Sequence, residues 1–371
     1  MNCTSQIPEP ASSPNRKVTR YADLAGADLQ DTLSRRRLLV RTGTLLLTGG
    51  LMLTFCPQLD VRHVLAQDND EAYLMTDGNL FDARRNRDVP YRLYTPEPLT
   101  GVYPVILVSH GIGGSRDVMP YLGRYLAEHG YVVVVMQHVG SDSSVWEHEL
   151  LLDDIYVALR RAMWDANAAI LRFQDVGFVL DEVAAWNRDG PLAGHLDLDR
   201  IGMAGHSYGG VSTMVAAGQR MGPGGSWFLK EPRIKAGVVM SPNVPIQGGN
   251  LDATYRAVDI PLFHITGTKD GNAVPGDREF DPIQRTFPYE ALSIPDQYLL
   301  VLDGAGHNAF SGLEIGPHAH GPEVETRYTQ AVEEGALLFF DAYVKDDAAA
   351  EAALRETFAS GLSSDDRFEW K

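Results

Sequence analysis

The sequence has little cysteine and comparatively little positive charge. Its 371 residues include two cysteines, Cys3 and Cys56, and 32 Lys or Arg residues against 49 Asp or Glu residues. Two cysteines are too few for a disulfide scaffold or for a metal site built from four thiolates. The formal charge of −17 disfavours a nucleic-acid-binding protein, which presents a basic face to phosphates. It equally disfavours a surface that binds anionic lipid.

Long apolar runs are also scarce near the N-terminus. The longest, Thr42 to Phe55, covers 14 residues, whereas a membrane-spanning helix needs about 20. The run follows Ser34-Arg35-Arg36-Arg37-Leu38-Leu39 and precedes Val64-Leu65-Ala66. A basic start, a short apolar stretch and a small-residue exit predict an export signal over residues 1–66, with no stable membrane span.

The arginine pair of this segment resembles a twin-arginine signal, although Leu38 and Val40 stand where that pattern has Phe and Lys. The resemblance implies the twin-arginine export machinery as a partner and a periplasmic or secreted bacterial protein. Cleavage is expected after Ala66. The alternative is a lipoprotein cleaved before Cys56, against which Phe55 stands where a small residue is preferred.

From residue 67 onward, short β-rich runs alternate with longer helical ones. Alternation of this kind predicts one α/β domain over residues 67–371, with a mostly parallel central sheet and helices on both faces. The helical stretch 142–198 is longer than one crossover needs and predicts a possible helical cap. The predicted strands are 91–95, 105–108, 131–136, 201–204, 236–240, 262–266 and 298–302; the predicted helices are 118–129, 148–164, 167–186, 207–218 and 323–344.

The sequence Gly205-His206-Ser207-Tyr208-Gly209 fits the pattern G-x-S-x-G. It lies between a short predicted strand and a helix rich in small residues, which is the context that this nucleophile turn requires. The turn strains the backbone, so its neighbours must be small, and it directs a helix N-terminus at developing negative charge. Ser207 is therefore the predicted nucleophile.

A glycine-rich segment, Ser109-His110-Gly111-Ile112-Gly113-Gly114, follows the first buried strand; we call residues 109–114 the glycine loop. Backbone N–H groups of such a turn can bind an oxyanion. The predicted donors are the N–H groups of Tyr208 and Ile112, with Gly113 as the next choice. Gly111 and Gly113 are also predicted to contact substrate. The other interpretation is a plain strand-to-helix turn.

A serine hydroxyl needs a base, and the base needs a carboxylate that fixes its tautomer. In this class of fold both follow the serine in the order acid, then histidine. Asp270 lies in a turn after one predicted strand and His307 in a glycine-rich loop after the last. The sequence therefore predicts a catalytic triad of Ser207, Asp270 and His307.

Other polar residues are alternatives to these assignments. Asp259, Asp277 and Asp303 are interpreted as turn acids, and His110 and His206 as residues that shape their loops, with His206 also a candidate substrate contact. His138 either lines the pocket or is a packed, hydrogen-bonded histidine. His318 and His320 have a spacing that could suit a metal, but no further ligand pattern supports one. Arg172 and Asp175 are interpreted as a helical ion pair.

The glycine loop and the sequence around Ser207 together resemble the α/β-hydrolase superfamily over residues 80–345. More specifically, they resemble bacterial predicted dienelactone hydrolases, platelet-activating-factor acetylhydrolases and cutinase-like polyester-degrading enzymes; the segment Arg172 to Asp181 fits the first group too. Dienelactone hydrolases use a cysteine nucleophile, and this chain has Ser207 in that place.

The resemblance implies a serine carboxylic-ester hydrolase that needs no metal or organic cofactor and acts on a small or polymeric ester. The alternatives are a secreted lipase, a polyester depolymerase or an acetylhydrolase acting on lipid esters. A non-catalytic binding module on the same fold is a further interpretation.

Overall fold

The computed structural model describes residues 72–243, 250–272, 274, 280–312 and 322–371. The predicted export signal, His318, His320 and Asp277 lie outside these residues. The strands are β1 (Tyr73–Asp82), β2 (Arg87–Pro96), β3 (Tyr103–Ser109), β4 (Val132–Met136), β5 (Leu196–His206), β6 (Ile234–Met240), β7 (Leu262–Lys269), β8 (Gln297–Gly306) and β9 (Arg367–Trp370). The helices are α1 (Pro120–Glu128), α2 (Leu152–Met163), α3 (Ala166–Asp189), α4 (Tyr208–Ala217), α5 (Leu251–Tyr255), α6 (Phe287–Ala291), α7 (Pro322–Tyr343) and α8 (Ala348–Glu356).

The strands form one sheet in the order β1-β2-β4-β3-β5-β6-β7-β8-β9. Strands β4, β3, β5, β6, β7 and β8 are parallel, while β1, β2 and β9 add antiparallel edges. Strand β4 reads Val-Val-Val-Val-Met and is buried along its whole length. Such continuous apolar strands are expected where helices cover both faces of a parallel sheet. The predicted mostly parallel sheet is confirmed.

Helices cover the two faces of this sheet. On one face, α1 and α7 bury Leu122, Val332 and Phe340 against the central strands. On the opposite face, α3 packs through residues such as Val176 and Val183. Replacing Leu122 or Phe340 by alanine is expected to cost about 2–5 kcal/mol. Helix α4 lies beside α3, and all ten of its residues are buried, so its position is fixed from every side.

The stretch 142–198, predicted to carry a possible cap, divides into two parts. Helix α3 is a crossover helix that packs on the sheet. Helix α2 and the turn before it lie instead against the glycine loop: Nε1 of Trp146 donates a hydrogen bond of 2.7 Å to the carbonyl of Gly113. A Cβ atom at Gly113 would approach Leu159 of α2 to 2.3 Å. Within the described residues, no helix is both long enough and apolar enough to span a membrane.

Candidate active site

Ser207 lies on a tight turn between β5 and α4. Its backbone has φ 57° and ψ −115°, a conformation that costs a non-glycine residue about 1–3 kcal/mol. The turn closes only around glycine. A Cβ at Gly205 would lie 2.1 Å from the carbonyl oxygen of Gly209, and a Cβ at Gly209 would lie 1.8 Å from that of Ser109. The N–H of Ser207 donates to the carbonyl of Met240 at 2.9 Å, which ties the strained turn to β6.

The structure brings Ser207, His307 and Asp270 together at the carboxyl ends of β5, β8 and β7. Oγ of Ser207 lies 2.9 Å from Nε2 of His307, and Nδ1 of His307 lies 2.7 Å from Oδ1 of Asp270. Oδ2 of Asp270 also accepts a hydrogen bond of 2.7 Å from the hydroxyl of Thr266. A carboxylate that accepts the Nδ1–H leaves Nε2 free to take the serine proton.

The surroundings favour an ionised Asp270 and a neutral His307. Burial alone would raise the pKa of Asp270, but the nearby charge of Arg285 and the hydrogen-bonded His307 hold it well below its usual value. Burial lowers the pKa of His307, and Arg285 lowers it further against the opposing effect of Asp270. A neutral imidazole at neutral pH is the protonation state that a general base needs.

Two backbone N–H groups lie where the sequence predicts oxyanion donors. Tyr208 is the first residue of α4, so its N–H has no partner within the helix. Neither that N–H nor the N–H of Ile112 has a hydrogen-bond acceptor among the residues that the structure describes. The N–H of Gly113, the next choice, donates to the carbonyl of Ser141 at 2.8 Å and is already used. A Cβ at Gly111 would lie 3.2 Å from Cβ of Ser207, which puts this glycine beside the nucleophile.

His138 is packed beneath the glycine loop and does not line an open pocket. The side chain is fully buried, with Nδ1 2.9 Å from Asp175 and Nε2 3.0 Å from the hydroxyl of Ser109. Burial and the charge of Arg172 lower its pKa to about 4. Both ring nitrogens are therefore engaged, and the packed, hydrogen-bonded alternative describes this histidine. The N–H of His138 in turn donates to Nε2 of His110 at 2.9 Å.

His206, a candidate substrate contact, is buried against His307. It is 3% exposed, and its Nε2–H donates to the carbonyl oxygen of His307 at 2.7 Å. Burial and the neighbouring His307 lower the pKa of His206 to about 3. The residue immediately before Ser207 thus holds the backbone of His307.

Arg172 and Asp175 do not form the helical ion pair predicted for them. The carboxylate of Asp175 accepts from Arg87 through Nε and Nη2, each at 2.8 Å, and from Arg85 at 2.8 Å. Asp175 thus binds Arg85 and Arg87 of the β1–β2 hairpin, whereas Arg172 has other partners.

The Arg172 guanidinium is fully buried and connects the glycine loop to α4. It donates to the hydroxyls of Ser212, Ser141 and Ser109 at 2.8, 2.9 and 2.9 Å, and to the carbonyl of His110. Its Cζ lies 4.6 Å from the ring centroid of Tyr208. One side chain therefore contacts the segments that carry both predicted oxyanion donors.

Two of the other candidate acids, Asp259 and Asp303, form local contacts away from Ser207 and His307. Asp259 pairs with Lys230, and Asp303 accepts from Thr268 at 2.9 Å. No cluster of metal-ligating side chains occurs among the described residues. One charged residue beside Asp270 and His307, Arg285, is absent from the sequence predictions; its sequence context carries no recognisable motif.

Comparison with known proteins finds sequence similarity to two groups of hydrolases. A family model described as "Platelet-activating factor acetylhydrolase, isoform II" matches residues 88–154, the segment from β2 through the glycine loop to the start of α2. The chain is 24% identical over 245 residues to cutinase est2 of Thermobifida alba, covering 64% of this chain and 66% of the relative. It is 24% identical over 194 residues to platelet-activating factor acetylhydrolase of Canis lupus familiaris, covering 45% of this chain and 40% of the relative.

The chain thus spans less than two thirds of the length of either relative. Both names describe hydrolases, and both groups are among those that the glycine loop and the Ser207 turn resemble. The chain has the α/β-hydrolase fold, and its relatives support the prediction of a carboxylic-ester hydrolase.

Proposed function

We propose that the chain is a serine carboxylic-ester hydrolase in which Ser207 is the nucleophile, His307 the general base and Asp270 the residue that orients the base. The observation that carries this proposal is the continuous hydrogen-bonded series from Ser207 Oγ through His307 to Asp270, with contacts of 2.9 and 2.7 Å. The series begins on a strained turn at the N-terminus of a buried helix, where negative charge is stabilised.

The mechanism follows from this arrangement. His307 removes the proton of Ser207, whose oxygen attacks the ester carbonyl, and Asp270 stabilises the imidazolium that forms. The N–H groups of Tyr208 and Ile112 bind the oxyanion, a contribution of about 3 kcal/mol for each such donor. His307 then protonates the leaving alcohol, and water releases the acid by the reverse sequence. In this scheme Gly111 borders the acyl group, while Gly113, His138 and His206 hold the surrounding backbone.

A second candidate function is hydrolysis of insoluble lipid or polyester substrates. The segment that lies against the glycine loop exposes several apolar side chains, which a large apolar substrate could contact. The relatives named cutinase and acetylhydrolase are consistent with either class. The exposed side chains are Leu150, Leu151, Leu152, Val157 and Trp164.

The direct test is hydrolysis of short nitrophenyl esters by the wild-type protein, Ser207→Ala, His307→Ala and Asp270→Asn. We expect kcat of Ser207→Ala and of His307→Ala to fall by at least about 10³-fold relative to wild type. Asp303→Asn is the matched control and should retain activity. Equal activity of Ser207→Ala and wild type would refute the mechanism. Comparing short acyl esters, long acyl esters and a polyester film distinguishes the two candidate functions.

The export proposal rests on the sequence of residues 34–66. Expression in a bacterium with an intact twin-arginine pathway should yield a mature chain that begins at Gln67. Replacing Arg35 and Arg36 by lysine should leave the precursor in the cytoplasm. Intact-mass measurement identifies the cleavage point, and a lipid-modified chain beginning at Cys56 would establish the lipoprotein alternative instead.

A further inference from the structure

Arg285 is a buried arginine in direct contact with the acid of the triad. It lies in the short 3-10 turn Pro282–Thr286 before α6 and is 1% exposed. Its Nε lies 3.2 Å from Oδ1 of Asp270, the same oxygen that contacts His307. Burying an arginine is costly unless its charge and N–H groups find partners, so the number and identity of those partners are informative.

The other N–H groups of Arg285 bind the ends of two neighbouring strands. Nη1 donates to the carbonyls of Ser241 and Pro242, after β6, at 3.1 and 2.9 Å. Nη2 donates to the carbonyl of Gly271, after β7, at 2.8 Å. Ser241 has φ 48°, a left-handed conformation at the point where its carbonyl meets the guanidinium. A single planar side chain thus connects the turn that carries Asp270 to the adjacent strand end.

Arg285 also faces the base. Its Nη2 lies 3.1 Å from Nδ1 of His307. Because Nδ1 of His307 already donates its proton to Asp270, this contact joins two hydrogen-bond donors. The positive charge of Arg285 therefore disfavours a positive charge on the His307 imidazole. Among the residues that the structure describes, His307 also contacts Asp270, Ser207 and the ring of His206, whose centroid lies 4.9 Å away. Of these, Asp270 alone favours the imidazolium at neutral pH, and Arg285 partly offsets its charge.

We propose that Arg285 is a positioning residue of the triad, which holds the Asp270 turn against the end of β6 and sets the acidic limb of the pH–activity profile. This inference rests on the proposed function. Burial and the charge of Arg285 both lower the pKa of His307 below 6.5, which would move the acidic limb to lower pH. A weaker proton affinity keeps the base neutral, and hence active, at lower pH.

The test is the pH dependence of kcat/KM for nitrophenyl acetate with wild type, Arg285→Gln, Arg285→Lys and the control Arg188→Gln, whose side chain is 70% exposed on α3. Wild type should show an acidic limb below pH 6.5, the ordinary value for histidine. Arg285→Gln, which removes the charge, should move that limb upward by about one pH unit. At a pH below both limbs, kcat/KM of Arg285→Gln relative to its own plateau should therefore be about tenfold lower than that of wild type.

Arg285→Lys separates charge from geometry. Lysine retains the positive charge but lacks the planar guanidinium of arginine. The acidic limb of Arg285→Lys should therefore stay near that of wild type. Its kcat at the plateau should fall by about tenfold or more, with KM little changed. The inference would be overturned if the acidic limb of the wild-type enzyme lay at or above pH 6.5. It would also be overturned if Arg285→Lys had the kcat of wild type. Both results can be measured even if Arg285→Gln does not fold. An inactive wild-type protein would instead refute the proposed function.

Discussion

The carbonyl oxygen of His307 accepts a hydrogen bond of 2.7 Å from Nε2 of His206, so the residue before the nucleophile holds the backbone of the base. His206→Phe keeps the ring volume and removes the donor. We expect kcat to fall by about tenfold with KM nearly unchanged, since a small displacement of the base affects the chemical step more than binding. His206→Gln, which retains a donor, should recover part of the rate. Equal kcat values for wild type and His206→Phe would show that this hydrogen bond does not position the base.

Arg172→Met should impair both folding and catalysis. The substitution leaves the hydroxyls of Ser109, Ser141 and Ser212 and a buried carbonyl without their donor, a loss of about 3 kcal/mol or more in the free energy of unfolding. Because the glycine loop loses its support, kcat/KM should fall by about 10²-fold. Urea unfolding and ester kinetics measure the two effects. Arg188→Gln serves as the exposed control, and a stable Arg172→Met enzyme with wild-type kcat/KM would contradict the prediction.

Gly209→Ala should abolish the nucleophile turn. The added methyl group would lie 1.8 Å from the carbonyl oxygen of Ser109, in a helix with no exposed face along which it could shift. We expect destabilisation by at least about 3 kcal/mol and loss of activity.

Gly177→Ala in α3 is the matched control for that substitution, because its nearest neighbour at 3.2 Å is the end of the Glu231 side chain. Alanine in a helix interior is favoured over glycine by about 1 kcal/mol, so the control should be neutral or stabilised. Thermal unfolding compares the two variants. An equally stable Gly209→Ala protein would show that the turn can relax.

Acid should destabilise the fold partly through His264. Burial lowers the pKa of His264 to about 3, from an ordinary value of 6.5. Below pH 6.5 the unfolded chain gains a proton that the folded chain excludes, so the free energy of unfolding falls by about 1.4 kcal/mol per pH unit for this residue. The loss continues toward pH 3. In His264→Leu, the free energy of unfolding should therefore depend less on pH between pH 6.5 and pH 3. Urea unfolding at several pH values measures this dependence.

His148→Leu is the control for acid stability, since the His148 side chain is 89% exposed, and it should follow the wild-type curve. The buried His110, His138 and His206 have pKa values lowered in the same direction. A residual slope is therefore expected in His264→Leu. An unchanged slope would mean that His264 takes up its proton in the folded protein.

The sequence predicted those parts of the fold and site that depend on local patterns. The apolar runs of β3 and β4 indicate strands buried on both faces, and the small residues around Ser207 indicate a tight turn. Both features can be inferred from residues that are neighbours in the sequence. Strand β1 escaped prediction because most of its residues are exposed or half-buried at the edge of the sheet and only Leu80 and Asp82 are buried, so it lacks the apolar run of a central strand. The short helices α5 and α6 carry too few residues for a periodic signal.

Long-range partners could not be predicted in the same way. Arg172 and Asp175 have the spacing of an ion pair, yet Asp175 pairs with Arg85 and Arg87, nearly a hundred residues earlier in the chain, and Arg172 binds hydroxyl and carbonyl groups. Arg285 lies beside Asp270 because its turn folds back over the end of β7. Spacing along a helix identifies possible pairs, but tertiary packing decides which charge each residue meets.

The contacts of Asp175 extend the active site to the edge of the molecule. Arg85 and Arg87, at the junction of β1 and β2, satisfy a buried carboxylate that also binds His138 beneath the glycine loop. A chain shortened to begin after Arg87 would retain the triad and both predicted oxyanion donors. It would also leave a negative charge in the interior with an uncharged histidine as its remaining partner. The β1–β2 hairpin therefore supports the region beneath the glycine loop, and any shortened version of the chain that is tested for ester hydrolysis must include it.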